Sequence, residues 1–485
     1  LLVRQLPRAD YGAYVTFTAY LSIFIVISSL GLIAVAERYV PELRARASGR
    51  ALAQFVLRLL AARYVVLLGA CALAAFLGTA ITTALSMPHL VDAFVIFQVI
   101  VVAEAACRYT ETIFDSLLQQ KYSQLSTLFR YGLRLAALAV YAATASDPLT
   151  LMTWVSIEAG CALAGLALAT LLVSIVVRRS WREGEAEGTG SGEVGTIHFE
   201  YRRYLRYAAP VFLGRLIASL SGLEAAKLVA ARLVGLEATA VFGFCASLTI
   251  MMQRYLPTFL IMNMVRPLFI TASTSDKPQS RLGFLYGLFI KLNFFVLLPI
   301  VAVVGAAGDS VVSALSGGKF AQGGGLLGLF VVMLAAHGLR NVHGMVLMAL
   351  EDGKGSLLVV VLSAVLFAVS IALVPLLGIP VLIVALILAD VVSMWVGRAR
   401  FARRDFRLTF PYPGLGQLLG AAVVAFVAMH VALAGLAGMN ESTGLLASAA
   451  VAVVAYGAAA RLMRAFSQRE RDAVNRLLPV KIFVW

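Results

Sequence analysis

Apolar runs of eighteen or more residues recur along the whole chain, separated by short polar stretches. Each run is long enough to cross the ~30 Å hydrocarbon layer of a bilayer as a helix. A helix also satisfies all of its own backbone groups in lipid. The pattern predicts spanning helices at 13–36, 63–86, 92–118, 125–145, 150–177, 207–231, 238–269, 283–306, 326–349, 356–377, 379–400, 414–437 and 444–463, thirteen in all. A transmembrane β-barrel would instead show short alternating segments. The fold class that follows is an all-α polytopic membrane protein.

The connections alternate in charge. Residues 37–50 carry Arg38, Arg44, Arg46 and Arg50; 119–130 carry Lys121 and Arg130; 178–206 carry six arginines. Lys277, Arg281 and Lys354 follow, then the run Arg398, Arg400, Arg403, Arg404 and Arg407, and a tail with Arg461, Arg464, Arg469, Arg471, Arg476 and Lys481. The intervening loops hold almost no Lys or Arg. Such alternation supports the helix count and places the basic loops in the cytoplasm. The chain is then expected to sit, multi-pass, in a bacterial cytoplasmic (inner) membrane.

That orientation puts residues 1–12 outside, so a cytoplasmic N-terminus requires one earlier helix. An internal repeat gives the same expectation. Arg4–Tyr14 lies over Arg232–Phe242, with Arg, a turn residue, a small residue and an aromatic in step before a long apolar run. The second copy follows a complete helix, 207–231, whereas the first follows only Leu-Leu-Val. Two pseudo-symmetric six-helix bundles and a final pair would make fourteen helices, the first preceding Leu1. The expected division is 1–177, a bundle lacking its first helix; 178–202, a Gly- and Glu-rich cytoplasmic linker; 203–402, the second bundle; and 403–485, the final pair and basic tail. Parallel repeats of this kind suggest a transporter with its site between the halves.

Composition agrees, with 61% hydrophobic and 13% charged residues against about 25% charged in soluble domains. The net charge of +15 reflects topology and contact with anionic lipid rather than nucleic acid. Cys71, Cys107, Cys161 and Cys245 all fall within apolar runs, with neither disulfide nor zinc spacing. The glycine clusters at 317–325 and 353–355 lack P-loop spacing. No cofactor, metal site or catalytic residue is expected. A glycan polymerase or ligase is disfavoured because the longest outer loop, 307–325, has no His, Glu or Arg.

Three short stretches carry a resemblance: Leu6-Pro7-Arg8-Ala9-Asp10-Tyr11-Gly12-Ala13-Tyr14, Glu37-Arg38-Tyr39-Val40-Pro41-Glu42, and Tyr204-Leu205-Arg206-Tyr207-Ala208-Ala209-Pro210. They resemble motifs of bacterial polysaccharide flippases (Wzx-like), the lipid-linked oligosaccharide branch of the multidrug/oligosaccharidyl-lipid/polysaccharide flippase superfamily. Pro7 stands where that family often has Gly. The resemblance implies two six-helix bundles in a V around a central cavity. It also implies alternating access that moves a polyprenyl-pyrophosphate-linked glycan from the inner to the outer leaflet, as in O-antigen or exopolysaccharide biosynthesis. The implied partners are the lipid-linked glycan, membrane lipids, and a polysaccharide polymerase or glycosyltransferases. The same superfamily leaves a cation-coupled multidrug exporter open as the alternative.

Charges inside spanning helices are the candidate site residues, because each needs a partner or a water-filled cavity. Glu104, Arg108, Glu111 and Asp115 fall on one helical stripe. Two readings of that stripe stand: a self-neutralising ladder that fixes packing, or a cavity wall that takes up protons or cations. Arg108, Arg134, Arg215, Arg254, Lys291 and Arg340 outnumber nearby acids and suit a pyrophosphate, since Arg binds phosphate oxygens through parallel hydrogen bonds. Glu104, Glu111, Asp115, Glu158 and Glu224 are candidate ion-coupling groups, although Glu224 and Lys227, three apart, are also spaced to pair. Asp390 reads as a helix-end anchor, and His337 and His343 read as packing polar groups.

Overall fold

The computed structural model describes residues 2–46, 48–145, 147–187, 201–260, 262–273, 277–350, 353–403, 408–436 and 438–477. Among the described residues the chain is helical throughout, with no strand. The helices are α1 Leu2–Gln5, α2 Arg8–Ile27, α3 Leu32–Arg46, α4 Gly49–Phe76, α5 Gly78–Ala84, α6 Val91–Ser116, α7 Gln120–Thr144, α8 Leu151–Glu187, α9 Tyr201–Leu220 and α10 Leu223–Leu233. They continue with α11 Leu236–Arg254, α12 Pro257–Leu260, α13 Met262–Ser273, α14 Pro278–Ser316, α15 Gly324–Ala349, α16 Gly353–Leu377, α17 Pro380–Ala402, α18 Tyr412–Gly435, α19 Glu441–Leu462 and α20 Gln468–Leu477.

Eleven of the described helices are long and apolar enough to cross a membrane. The expected spans at 125–145 and 207–231 are helical too, as α7 and as the pair α9 and α10, but fall outside that group. Arg130 and Arg134 lower the apolarity of α7, and the second span is divided at Ser221-Gly222. Large side chains such as Phe76, Trp395 and Leu462 are exposed, as on helices whose outer face meets lipid tails.

Four expected helices are broken, among them 63–86, which divides at Leu77 into α4 and α5. The run 13–36 divides at Ser28–Gly31 into α2 and α3, with Leu30 and Gly31 both at positive φ. The run 207–231 divides into α9 and α10. The run 238–269 ends its first segment at Arg254, because Pro257 lacks an N–H and disfavours helical backbone at Leu256. Other helices outrun their apolar stretch. α4 starts at Gly49, so most of the basic segment 37–50 is helix rather than loop. α8 continues to Glu187, so the first ten residues of the expected linker are helical, while 188–200 lie outside the described residues, as do Arg404, Arg407 and Lys481 of the basic runs. α14 spans 39 residues but bends at Ala307, whose backbone is not helical, so it is two helical segments rather than one continuous rod.

The chain forms two compact units, Leu1–Ala240 and Val241–Trp485. In the first, α9 packs on α2 and α3, and α10 packs on α2. One part of its core gathers Phe17, Phe94, Phe97 and Val155 from α2, α6 and α8; another gathers Tyr39, Phe55, Tyr109 and Phe114 from α3, α4 and α6. In the second unit a continuous core joins α14, α15, α18 and α19, with Tyr286, Phe289, Val346, Leu418 and Tyr456 fully covered, and Val474 of α20 seals one edge.

The flippase-like motifs have structural roles. Asp10 Oδ2 accepts the Leu151 N–H at 3.0 Å and so satisfies a donor at the start of α8. Gly12 lies against the Leu236 carbonyl so closely that an added Cβ would sit 1.9 Å from its oxygen. The second and third motifs meet each other. Tyr39 packs on Tyr204 and Tyr207 with ring centroids 4.5 and 5.9 Å apart, Glu42 pairs with Arg203 at 3.0 Å, and Arg203 lies over the Tyr39 ring.

Candidate transport site

In the first unit the stripe on α6 faces two arginines on α7 and one acid on α8. Glu104 pairs with Arg108 at 3.0 Å, Arg130 at 2.8 Å and Arg134 at 2.9 Å. Glu111 takes Arg130 at 2.6 Å, and its Oε1 also accepts hydrogen bonds from the Ser126 and Thr127 hydroxyls at 2.9 and 3.1 Å. Arg134 Nε lies 3.4 Å from Glu158. Three arginines and three glutamates thus compensate one another in the bundle. Glu104 and Arg130 side chains are only 1% and 3% exposed, so neither is held by water. Gly165 of α8 makes room for the Arg130 stem, since a Cβ there would lie 2.4 Å from its Cγ.

Arg130, where the basic segment 119–130 overlaps the expected span 125–145, is the most buried cation of this network. Its signal was present: Arg130 and Arg134, four apart on α7, match the spacing of the α6 acids. Glu158 is buried, and its Oε2 has no hydrogen-bond partner.

Arg108 is held only at one edge, with its side chain 45% exposed. One and two turns further along α6, Thr112 and Asp115 line an open cavity of about 730 Å³ with Glu37, Pro41, Arg44 and Ser116. Glu37 also binds Arg215 of α9 at 2.5 Å, both side chains being nearly half exposed. Glu224 pairs with Lys227 at 2.9 Å within α10.

A further arginine, missed in the sequence, holds the break between α2 and α3. Arg63 lies about 20 Å along α4 and is buried. Its guanidinium donates to the carbonyls of Ser28 and Ile25 and sits 5.9 Å from the centroid of the Tyr109 ring. The last carbonyls of a helix have no intrahelical partner and carry the negative end of its dipole. A cation there stabilises a break that apolar surroundings would otherwise penalise.

In the second unit, Arg340 of α15 pairs with Asp390 of α17 at 2.8 Å, and His337 Nδ1 lies 3.3 Å from the same carboxylate. The His337 ring stacks on Phe259. Asp390 is therefore buried between helices rather than anchoring a helix end. Arg340 keeps 34% of its side chain exposed. His343 is buried against Tyr286, whose hydroxyl lies 3.1 Å from its Nε2. Arg254 ends α11 exposed, where a cation complements the helix C-terminus. Lys291 binds Glu470 of α20 at 2.9 Å and the Ala465 carbonyl at 3.2 Å. These partners directly follow α19, so Lys291 lies level with the end of that helix rather than midway along a span.

No protein-family model matches the sequence, and no curated protein sequence does. Solved structures do resemble it. The lipid II flippase MurJ in an inward closed conformation matches with a TM-score of 0.68 at 12% identity, over 96% of this chain and 94% of that one. An outward-facing multidrug resistance MATE transporter of the MOP superfamily matches at 0.52 and 14% identity, over 82% and 88%. A MOP superfamily transporter from Pyrococcus furiosus, described as having a binding pocket of reversed polarity, matches at 0.51 and 16%, over 82% and 88%. The chain therefore has the two-bundle helical fold shared by MurJ and the MATE transporters of the MOP superfamily, proteins that move molecules across membranes rather than transform them.

Proposed function

We propose that this protein is a flippase that carries a polyprenyl-pyrophosphate-linked oligosaccharide from the inner to the outer leaflet of a bacterial cytoplasmic membrane by alternating access, for surface polysaccharide biosynthesis. The observation that carries the reading is the extent of the likeness: 96% of the chain follows a lipid flippase, against 82% for the exporter in its outward-facing form. The exposed arginines supply matching chemistry. Arg108 and Arg215 in the first unit, and Arg254 and Arg340 in the second, present donors suited to phosphate oxygens. Arg134 is committed to the buried Glu104 and Glu158, and Lys291 to Glu470 and the Ala465 carbonyl, so both act through packing. The cavity at Glu37, Thr112 and Asp115 offers hydroxyl and carboxylate groups of the kind that hydrogen-bond sugars.

A flippase-null strain tests this. The wild-type gene restores surface polysaccharide, and the Arg215→Ala, Arg340→Ala double variant does not, at equal membrane abundance. Full activity of that variant would remove the arginines from the transport path.

One observation favours the second reading, a cation-coupled exporter. Glu158 is a buried acid beside Arg134, and one of its carboxylate oxygens makes no hydrogen bond. Pocket polarity is not set by fold. Cation-driven dye efflux by purified protein in vesicles, abolished by Glu158→Gln, would support the exporter over the flippase.

A further inference from the structure

The last spanning helix and the tail helix enclose a second, separate cleft. Its volume is about 440 Å³, and it is lined by Arg461 and Arg464 at the end of α19, Ser467, Gln468 and Arg471 at the start of α20, and an aromatic floor of Phe295 and Phe466. Three arginines line one small space. Between Arg461 and Arg476 the chain has five arginines against Glu470 and Asp472. Glu470 is engaged by Lys291 and by the Ser467 N–H and hydroxyl, and Asp472 is exposed to solvent. The local field is therefore positive. The start of α20 adds the positive end of a ten-residue helix.

The backbone shows what this arrangement demands. The Ala465 N–H bonds the Ala460 carbonyl and the Arg464 N–H bonds the Arg461 carbonyl, which is the Schellman ending of a helix. Arg464 is its left-handed residue, at φ 53, a position where glycine is unstrained. Leu30, Ser86 and Leu118 share that conformation, so strain alone marks nothing. At Arg464, however, the non-glycine side chain lines the basic cleft. Leu462, beside it, is strongly exposed on the outer face of α19, so apolar surface continues directly from the guanidinium groups.

We propose that this cleft binds the phosphate of an anionic phospholipid, with the acyl chains lying along α19. Arginine clusters recognise phosphate through paired N–H donors, and basic residues beside a spanning helix attract anionic headgroups. The site does not depend on the transported substrate.

The test uses the full chain in detergent, with phosphatidylglycerol and phosphatidylcholine of identical acyl chains compared by native mass spectrometry. The wild type retains phosphatidylglycerol preferentially. Arg464→Gly suits the turn and removes only the charged side chain, so its melting temperature stays level or rises while the preference falls about fivefold. Arg461→Gln, at a helical and exposed position, shows the same fall and stands in for Arg464→Gly if that variant unfolds early. Arg476→Gln removes an equal charge from α20 away from the cleft and leaves the preference intact. Unchanged binding in the two cleft variants, or an equal loss in Arg476→Gln, overturns the proposal. Millimolar inorganic phosphate is added in a last arm. Failure to displace the lipid supports a membrane source. Displacement by phosphate alone overturns the lipid assignment in favour of a soluble phosphate.

Discussion

Glu104→Gln is the substitution that separates a packing role for the first-unit charge network from a transport role. Gln preserves the shape of the side chain and an acceptor oxygen, so the change is one of charge. In the wild type one carboxylate serves Arg108, Arg130 and Arg134 at 2.8–3.0 Å. After substitution three arginines face only Glu111 and Glu158, and Arg130 and Arg134, whose side chains are 3% and 17% exposed, each lose one of their two acids. Removing one partner of a buried pair costs ~3–5 kcal/mol. The three pairs share one acceptor, so their losses do not add. For a unit of this size each kcal/mol lowers the melting temperature by about 2–4 °C, giving a fall of about 10 °C. Thermal unfolding of the purified full-length protein in detergent reads this directly. Arg108→Gln is the internal control: that side chain is nearly half exposed and the buried pairs Arg130–Glu111 and Arg134–Glu158 survive, so the loss stays within ~1 kcal/mol. A Glu104→Gln protein that melts within a degree or two of wild type yet transports nothing would refute the packing argument and return Glu104 to the ion-coupling candidates.

Arg215→Ala removes an exposed ion pair and should change stability by less than ~1 kcal/mol while complementation of the flippase-null strain falls; equal loss of both would make Arg215 structural. Gly12→Ala forces a Cβ against the Leu236 backbone and should cost ~3 kcal/mol or more, seen as reduced membrane yield and an early melt. Arg63→Met strips the α2 carbonyls of their donor and should destabilise by about 2 kcal/mol, with Arg63→Gln intermediate in the same thermal assay.

Hydropathy reads which stretches meet lipid, and it placed most of the helices for that reason. It does not read where a helix ends in water or breaks in apolar surroundings. Arg63 stands at the first residue of the expected span 63–86, although α4 begins fourteen residues earlier at Gly49. The break at Ser28–Gly31 contains no proline and little polarity, and its stabilising cation lies on another helix. The stripe Glu104–Asp115 was legible because four charges three and four apart share one helix face. Arg340 with Asp390, and Lys291 with Glu470, were not, since their partners stand 50 and 179 residues away along the chain. The short motifs were legible as a resemblance but not as geometry: Asp10 starts α8, Gly12 admits a backbone, and Tyr39 finds Tyr204 only after folding.

The excess of intramembrane cations suggested open phosphate ligands, whereas nearly every one has an acid beside it. Pairing and ligand binding are nevertheless compatible, because guanidinium carries five donors and a carboxylate takes at most two. What decides availability is exposure. Arg130 is enclosed between Glu104 and Glu111 and has no face left to offer, while Arg108 and Arg215 each have one acid at an edge and nearly half of the side chain exposed, and Arg340, held by Asp390 and His337, keeps 34% exposed. On the proposed function, such a pair also lowers the cost of keeping a charge ready within a membrane-spanning bundle when no substrate is present, and an arriving phosphate would meet a guanidinium already held in place. The acid then sets the strength of capture, since it competes for the same donors. Substituting Glu37 by Gln should therefore tighten phosphate binding at Arg215 while leaving the fold intact. A weaker affinity in Glu37→Gln would mean that the carboxylate positions Arg215 more than it competes with the ligand.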